Sequence, residues 1–598
     1  MQKTTVPEPS ERVRAVRDGM LVEWDVPIVM DDGIALRADI FRPPNEGTFP
    51  AILSYGPYAK GLSFQEYFPK QWQQMCKAFP EVLEGSSCKY QNWEVVDPEK
   101  WVPDGYACVR IDSRGAGRSP GYIDQHSPRE AQDFHDCIEW VAKQNWCNGK
   151  VGLNGISYYA VNQWRVASLQ PPHLAALCVW EGCADRYRES THHGGILSTF
   201  ARDFQPKQIL RVQHGLGTRG PRSSVTGEYV SGPRELDDSQ LEKNRAPQWQ
   251  QLQENELDNE FYQTRSAVWN KIEVPLLSAG NWGGHGLHLR GNIEGFLRAA
   301  SREKWLEVHG HAHWTHFYSD YGLSLQKKFF GHFLKGEDTG WAKQPKVQLQ
   351  IRHPGERFVQ RDEASWPIDR TQWMKLYLTE NQKLSPKPSS QDGVIEFDAL
   401  GDGLQFKTEP LAEEVEITGP LMSRMLVSST TSDADLFLVL SLFDPEGREV
   451  LFHGANDPAM PIAMGWLRAS HRKLDCSVSL PYRPYHSHDE KLPLSPGIPV
   501  PLDIEIWPTC IVCPKGYTLA LSVRGKDFEH SGPAVPSPWG GEPMRGAGPF
   551  QHNDEADRPR DVFGGRTTIH ISKGEEPYLQ LPVIPPKSEP NRNCLAFE

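Results

Sequence analysis

The chain has 598 residues, 38% of them hydrophobic and 24% charged. That is the composition of a soluble globular protein, too long for one core, so two or three domains are expected. A net charge of −13 and a pI near 5.9 argue against nucleic acid and anionic membranes as partners.

No window approaches the roughly 18 consecutive apolar residues of a membrane span. The opening segment MQKTTVPEPSERVRAVRDGM holds no apolar signal core. The 11 scattered cysteines read as thiols of a reducing compartment, the cytoplasm.

In chain order, GMLVEWDVPIVMDDGIALRADIFRP predicts a hairpin turning at Asp31-Asp32-Gly33. FPAILSYGPY is a buried strand ending in a loop, and YACVRIDSRGAGRS is a second strand entering a glycine-rich turn. REAQDFHDCIEWVAKQ has helical spacing, with Phe134, Ile138 and Val141 on one face. GKVGLNGISYY reads as strand, sharp turn and helix, and HLAALCVWEGCAD as another apolar strand. This βαβ rhythm predicts a parallel sheet with helices on both faces.

From 186 to 264 Trp, Gln, Arg and Glu dominate, and an inserted, mainly helical cap is expected. The βα pattern resumes at VPLLSAGNW, GNIEGFLRAA, KWLEVHGHAHW and GLSLQKKFFGHFLKG. Beyond it, VQLQIR, SRMLVSS, DLFLVLSLFDPEG, PLDIEIWP and TLALSVRG are short strands between turns, the pattern of a β-sandwich or jelly roll. The expected division is an α/β core over 1–185 and 265–344, the cap over 186–264, and the β domain over 345–598.

Ser157 follows a predicted strand in Gly155-Ile156-Ser157-Tyr158-Tyr159-Ala160. A serine hydroxyl needs a base to become a nucleophile. A strained strand-to-helix turn between small residues is one way to present it. Tyr159 stands where G-x-S-x-G has its second glycine, so an ordinary Gly-x-Ser turn is the rival, and the strand-turn-helix context favours the nucleophile. Two metal readings are weaker. Cys510 and Cys513 form one CxxC with no second pair. His309, His311 and His313 would share one face of a strand, but His313-Trp314 stands where an H-x-H-x-D-H metal site needs Asp-His. No metal and no cofactor is expected.

The chain resembles the cocaine esterase / X-prolyl dipeptidyl peptidase family of α/β-hydrolases (CocE/NonD-like, peptidase S15). The likeness is carried by YGPYAKG (Tyr55–Gly61), IDSRGAGRSPG (Ile111–Gly121), GLNGISYYA (Gly152–Ala160) and ADRYRE (Ala184–Glu189). TGPLMSRMLVSSTTSDADLFLVL, GWLRASHR and DIEIWPT extend it into the C-terminal part. It covers nearly the whole chain. It implies an α/β-hydrolase core, an inserted cap and a C-terminal jelly roll. It also implies an oxyanion hole made by the Tyr58 hydroxyl and the Tyr158 N–H, donors that stabilise the charge of a tetrahedral intermediate. The base it implies is His313, in a loop after the last core strand, with His309, His311 and His316 as competitors.

The acid departs from the pattern. Better-known members carry an Asp in a W-x-D loop after the strand matching VPLLSAG, where this chain has Trp282-Gly283-Gly284. Glu181, at the tip of the neighbouring strand LAALCVW, keeps the order nucleophile, acid, histidine. A charged residue directly after an apolar strand also demands a partner. Asp185 and Asp320 are the alternatives, and Glu181 salt-bridged to Arg186 or Arg188 is the plain one. The glycines at 280, 283, 284 and 286, with Asn281, are expected to form a close-approach loop. Trp282, His285, His288, His192 and His193 are candidates to line the substrate pocket.

The expected function is a serine hydrolase that cleaves a small-molecule carboxylic ester or amide through an acyl-enzyme. An acyltransferase passing the same acyl group to an amine or alcohol is the second reading. A non-catalytic binding protein on a degenerate hydrolase fold is the third. A homodimer is the assembly considered.

Overall fold

The hairpin expected at the start of the chain pairs β2 (Met20–Val29) with β3 (Ala35–Arg42). In the computed structural model, which describes residues 14–573 and 577–586, it begins one large sheet. Most of the segment read above for a signal core, residues 1–13, lies outside the described residues.

The remaining strands of this part are β1 (Arg14–Arg17), β4 (Phe49–Gly56), β5 (Ala107–Asp112), β6 (Cys147–Ile156) and β7 (Leu174–Trp180). They are followed by β8 (His192–His193), β9 (Ile196–Leu197), β10 (Leu276–Asn281), β11 (Lys304–His309), β12 (Val347–His353) and β13 (Arg357–Glu363). All but β8 and β9 join an eleven-stranded sheet in the order β1-β2-β3-β5-β4-β6-β7-β10-β11-β12-β13. Its centre is parallel from β5 through β12, and its edges are antiparallel. The central strands are buried on both faces, as the unbroken apolar runs AILSYG and LAALCVW require. Helices Pro128–Ala142, Tyr158–Ala167 and Leu289–Arg298 follow β5, β6 and β10. Ser127 caps the first of them by accepting from Glu130 N–H.

Two expectations about boundaries change. The α/β sheet does not stop at residue 344: β12 and β13 extend it to Glu363. VQLQIR alternates like a sandwich strand, but it pairs with β11, and only that pairing assigns it to the first sheet. The inserted segment is less helical than its composition suggests. Its longest α-helix, Gln248–Glu254, has seven residues. The rest is short helical turns, loops and the β8/β9 hairpin, because glycine and proline interrupt the periodicity.

The C-terminal domain is all-β, a single antiparallel sheet of eleven strands curved toward a barrel. Its longest pairing joins Val415–Ser429 to Val500–Cys513. Cys510 and Cys513 sit on that second strand in two separate apolar cores, and Cys510 Sγ accepts from Thr418 Oγ1 at 3.2 Å. The two sheets are joined by Arg352 of β12. Its buried guanidinium donates to the Cys510 and Ile462 carbonyls and to Thr509 Oγ1 at 2.7–2.9 Å.

Candidate active site

The C-terminal tips of β4, β6, β7, β10 and β11 converge, the usual place for a site in an open α/β sheet. Ile156 pairs with Trp180, Ala279 with Trp180, and Asn281 with His309. The residues that follow these pairs are therefore neighbours: Ser157, Glu181 and the loops that carry His288 and His313.

Ser157 stands at φ 54°, ψ −117° before the helix Tyr158–Ala167. This is a strained conformation for a residue with a side chain, and such strain clusters at functional turns. The turn closes only because Gly155 is small. A Cβ there would lie 2.5 Å from Tyr159 Cβ and 3.1 Å from the Glu94 carbonyl. The amide of Ser157 is anchored on the carbonyls of Trp180 and Glu181.

Glu181 is fully buried. Its Oε2 lies 2.7 Å from His313 Nδ1. Its Oε1 lies 3.0 Å from His309 Nε2 and accepts from Asn281 Nδ2 at 3.1 Å. Burial pushes the Glu181 carboxyl up, but the two imidazoles outweigh it and hold it at about 2. His309 Nδ1 reaches Glu307 at 2.7 Å. Burial pushes His309 down, yet the two carboxylates lift it to about 9. Glycine-rich loop and acid are thus linked: Asn281, at the start of the loop that lacks a carboxylate, donates to Glu181 and to the His311 carbonyl.

Burial likewise opposes the charge on His313, and Glu181 and Glu94 overcome it, so that its pKa rises to about 10. Its Nε2 lies 3.1 Å from Glu94 Oε1. Ser157 Oγ is hydrogen-bonded to His288, with Nε2 at 3.2 Å. His288 Nδ1 accepts from the Cys183 N–H at 3.0 Å, so the proton of this ring sits on Nε2. Burial holds the ring neutral, well below the usual histidine range. His288 is therefore a donor to Ser157, not an acceptor of its proton. Its ring stacks on that of His313 with centroids 5.4 Å apart.

Tyr58 follows β4 and packs edge-on against Tyr158, Tyr159 and Phe204. Asp112 holds its loop, accepting from Lys60 N at 2.7 Å and Arg118 N at 2.8 Å. The Tyr158 phenol donates to Glu130 at 2.9 Å and stacks on His126. Two narrow clefts reach Ser157, lined among others by Tyr58, Phe200, Phe204, Leu287 and His288, with Trp539 closing one of them. Their volumes are about 20 and 40 Å³. At about 10–15 Å³ per water, this is room for one and for a few water molecules.

Four of the expected pocket residues lie elsewhere. Trp282 donates from its indole to the Gln350 carbonyl, and His285 stacks on Trp507. His192 stacks on Tyr187, and His193 is hydrogen-bonded to His552 at 2.8 Å. All four are buried in the packing between cap, core and β domain, and none lines either cleft at Ser157. Polarity beside a glycine loop does not tell a pocket wall from a buried joint. The alternative acids do not reach His313 either. Asp185 caps the helix Arg186–Ser190 and pairs with Arg188, and Asp320 begins a helix with its side chain exposed. Sequence reasoning missed Glu94. NWEVVDP offers two carboxylates, Glu94 and Asp97, around a short apolar run, and nothing in that run points to a histidine 219 residues away.

Residues 32–318 match the model of the X-Pro dipeptidyl-peptidase (S15) family, and residues 339–576 match that of the X-Pro dipeptidyl-peptidase C-terminal non-catalytic domain. A solved CocE/NonD family hydrolase from Staphylococcus aureus is 32% identical, with a TM-score of 0.80, and the alignment covers 94% of each chain. The cocaine esterase of a Rhodococcus strain is 27% identical over 72% of this chain and 81% of its own. An aminopeptidase from a marine sediment archaeon shares the fold at 15% identity and a TM-score of 0.66, covering 98% of this chain and all of its own. The chain is a serine hydrolase of ester or peptide bonds with an α/β-hydrolase core and a C-terminal β domain, and it belongs to the CocE/NonD family.

Proposed function

We propose that Ser157, His313 and Glu181 are the catalytic triad of this hydrolase, with the Tyr58 hydroxyl and the Tyr158 N–H as its oxyanion donors. The observation that carries this reading is the 2.7 Å contact between Glu181 Oε2 and His313 Nδ1, formed at the strand tips beside the strained turn of Ser157. Ser157 Oγ turns from His288 to His313 Nε2 and attacks the acyl carbon as its proton passes to that nitrogen. Negative charge gathers on the carbonyl oxygen, where the two fixed donors meet it. The imidazolium, stabilised by Glu181, then protonates the leaving alcohol or amine. Water enters by the same route in reverse and releases the acid. Phe200, Phe204, Leu287 and Trp539 favour an apolar acyl or leaving group, and the narrow clefts require these rings to move as substrate enters.

The ten described cysteines are free thiols, which supports a reducing compartment, the cytoplasm. Among the described residues no helix is long and apolar enough to cross a membrane.

A fluorophosphonate probe should label the protein stoichiometrically at Ser157, and Ser157→Ala should lose both labelling and ester hydrolysis. Labelling elsewhere, or activity surviving in that variant, counts against the triad. Product analysis with an added amine separates hydrolysis from acyl transfer.

A further inference from the structure

In the free enzyme the nucleophile and the base proposed above are each held by another group. Ser157 Oγ is 3.2 Å from His288 Nε2, and His313 Nε2 is 3.1 Å from Glu94 Oε1. Glu94 is built for this position. It is 3% exposed and sits at φ 63°. Its carbonyl accepts from Ile156 N–H, one residue before the nucleophile. Its second oxygen, Oε2, is buried with no hydrogen-bond partner among the described residues. The residue lines the cleft that holds Ser157 and His313.

We propose that Glu94 is a positioning residue of the triad, a second carboxylate that keeps the proton on His313 Nε2 in the free enzyme and, when substrate fills the cleft, takes that proton and moves away as the neutral acid, which leaves Nε2 free to accept from Ser157. This inference rests on the triad proposed above. With carboxylates on both ring nitrogens, His313 is an imidazolium that cannot accept the serine proton, so the resting hydroxyl stays inert toward adventitious electrophiles. The other titratable groups packed around the pair are Glu181, His288, Tyr58, Tyr67, Tyr159 and Tyr318. Burial keeps the four phenols protonated and His288 neutral, and Glu181 already has its two imidazoles. Glu94 is the group left to move. Burial lifts its own carboxyl to about 7 against the pull of His313, so its grip is weaker than that of Glu181.

The test is the pH dependence of fluorophosphonate labelling, which reads the free enzyme, in wild type, Glu94→Gln, Glu94→Asp and His313→Ala. Wild-type labelling should still be rising above pH 8. In Glu94→Gln the rising limb should move down by about one to two pH units, the effect of removing an opposite charge within 4–6 Å. At neutral pH its labelling rate should then exceed wild type roughly tenfold or more. Glu94→Asp, which keeps the charge, should move back toward wild type. A wild-type plateau reached by pH 7 overturns the proposal without any variant having to fold. So does a limb unmoved in Glu94→Gln while His313→Ala stays unlabelled. Normal labelling of His313→Ala instead overturns the triad itself.

Discussion

Glu181 Oε2 stands 2.7 Å from His313 Nδ1 across 132 residues of chain, and both groups lie on the rim of a sheet whose next-door tip carries Ser157. Glu307, His309, Glu181, His313 and Glu94 form one buried file of alternating carboxylates and imidazoles. A buried charge persists only with such partners, so the file depends on all its members.

Glu181→Gln leaves the shape of the site but removes the charge that stabilises the His313 imidazolium. We expect kcat to fall by about 10³ to 10⁴ with KM nearly unchanged. Steady-state kinetics on a chromogenic ester, with Asp in the same position as the conservative comparison, provides the check. A loss below tenfold would assign the role to another carboxylate.

The two histidines near Ser157 should separate cleanly. His313→Ala removes the proposed general base and should cost about 10² to 10⁴ in kcat. His288→Ala removes two neutral hydrogen bonds, of which only the one to Ser157, about 0.5–1.5 kcal/mol, touches the nucleophile, and it should cost roughly tenfold or less in kcat. The reverse ranking would make His288 the base.

Tyr58→Phe deletes one of the two proposed oxyanion donors while keeping the ring that packs on Tyr158, Tyr159 and Phe204. We expect a loss of about 10² to 10³ in kcat, with thermal stability unchanged. A variant with full kcat would show that the hydroxyl serves elsewhere.

Gly283 is where the glycine loop meets the β domain. A Cβ there would lie 2.3 Å from Gly454 Cα. The adjoining Ala455 donates to the Gly283 carbonyl and accepts from His313 N–H. Gly283→Ala should therefore lower stability by about 1–3 kcal/mol, the range for overpacking, and lower kcat with it because the His313 loop shares the brace. Chemical denaturation and kinetics on one preparation test the pair. A stability loss with kcat intact would uncouple the β domain from the site.

Glu130 supplies a pH signature. Burial raises its carboxyl to about 8 from an ordinary 4.5, against the hydrogen bond from Tyr158. A folded-state pKa above the unfolded one means that the folded protein holds the proton more tightly. The contribution is complete below pH 4.5 and is lost as pH rises to 8, at up to about 1.4 kcal/mol per pH unit. Glu130→Gln should flatten that part of the stability profile, measured by denaturant midpoints across pH 5 to 9. An unchanged slope would place the titration on other groups.

Much of this architecture was legible in the residues themselves. Alternation and unbroken apolar runs are local, and they gave β2, β3, β4, β6 and β7 in order. The order of strand tips then placed Glu181 between Ser157 and His313. VQLQIR has the alternation of a sandwich strand yet pairs with β11, because strand partners are non-local. His192, His193, Trp282 and His285 were expected in the pocket because polarity beside glycines looks the same whether a loop faces a ligand or another domain.

By itself, then, the sequence determined which residues end the central strands, since side-chain period and backbone sterics act over a few positions. It also showed that the glycine loop carries no carboxylate, and it offered Glu181 on the neighbouring strand as the acid beside Asp185 and Asp320. Only the tertiary structure decided that Asn281 supports Glu181, that His288 faces Ser157, and that Glu94 holds His313. Each of these is a contact between segments 100 to 219 residues apart. Such contacts are set by burial and charge pairing among side chains that no local pattern brings together.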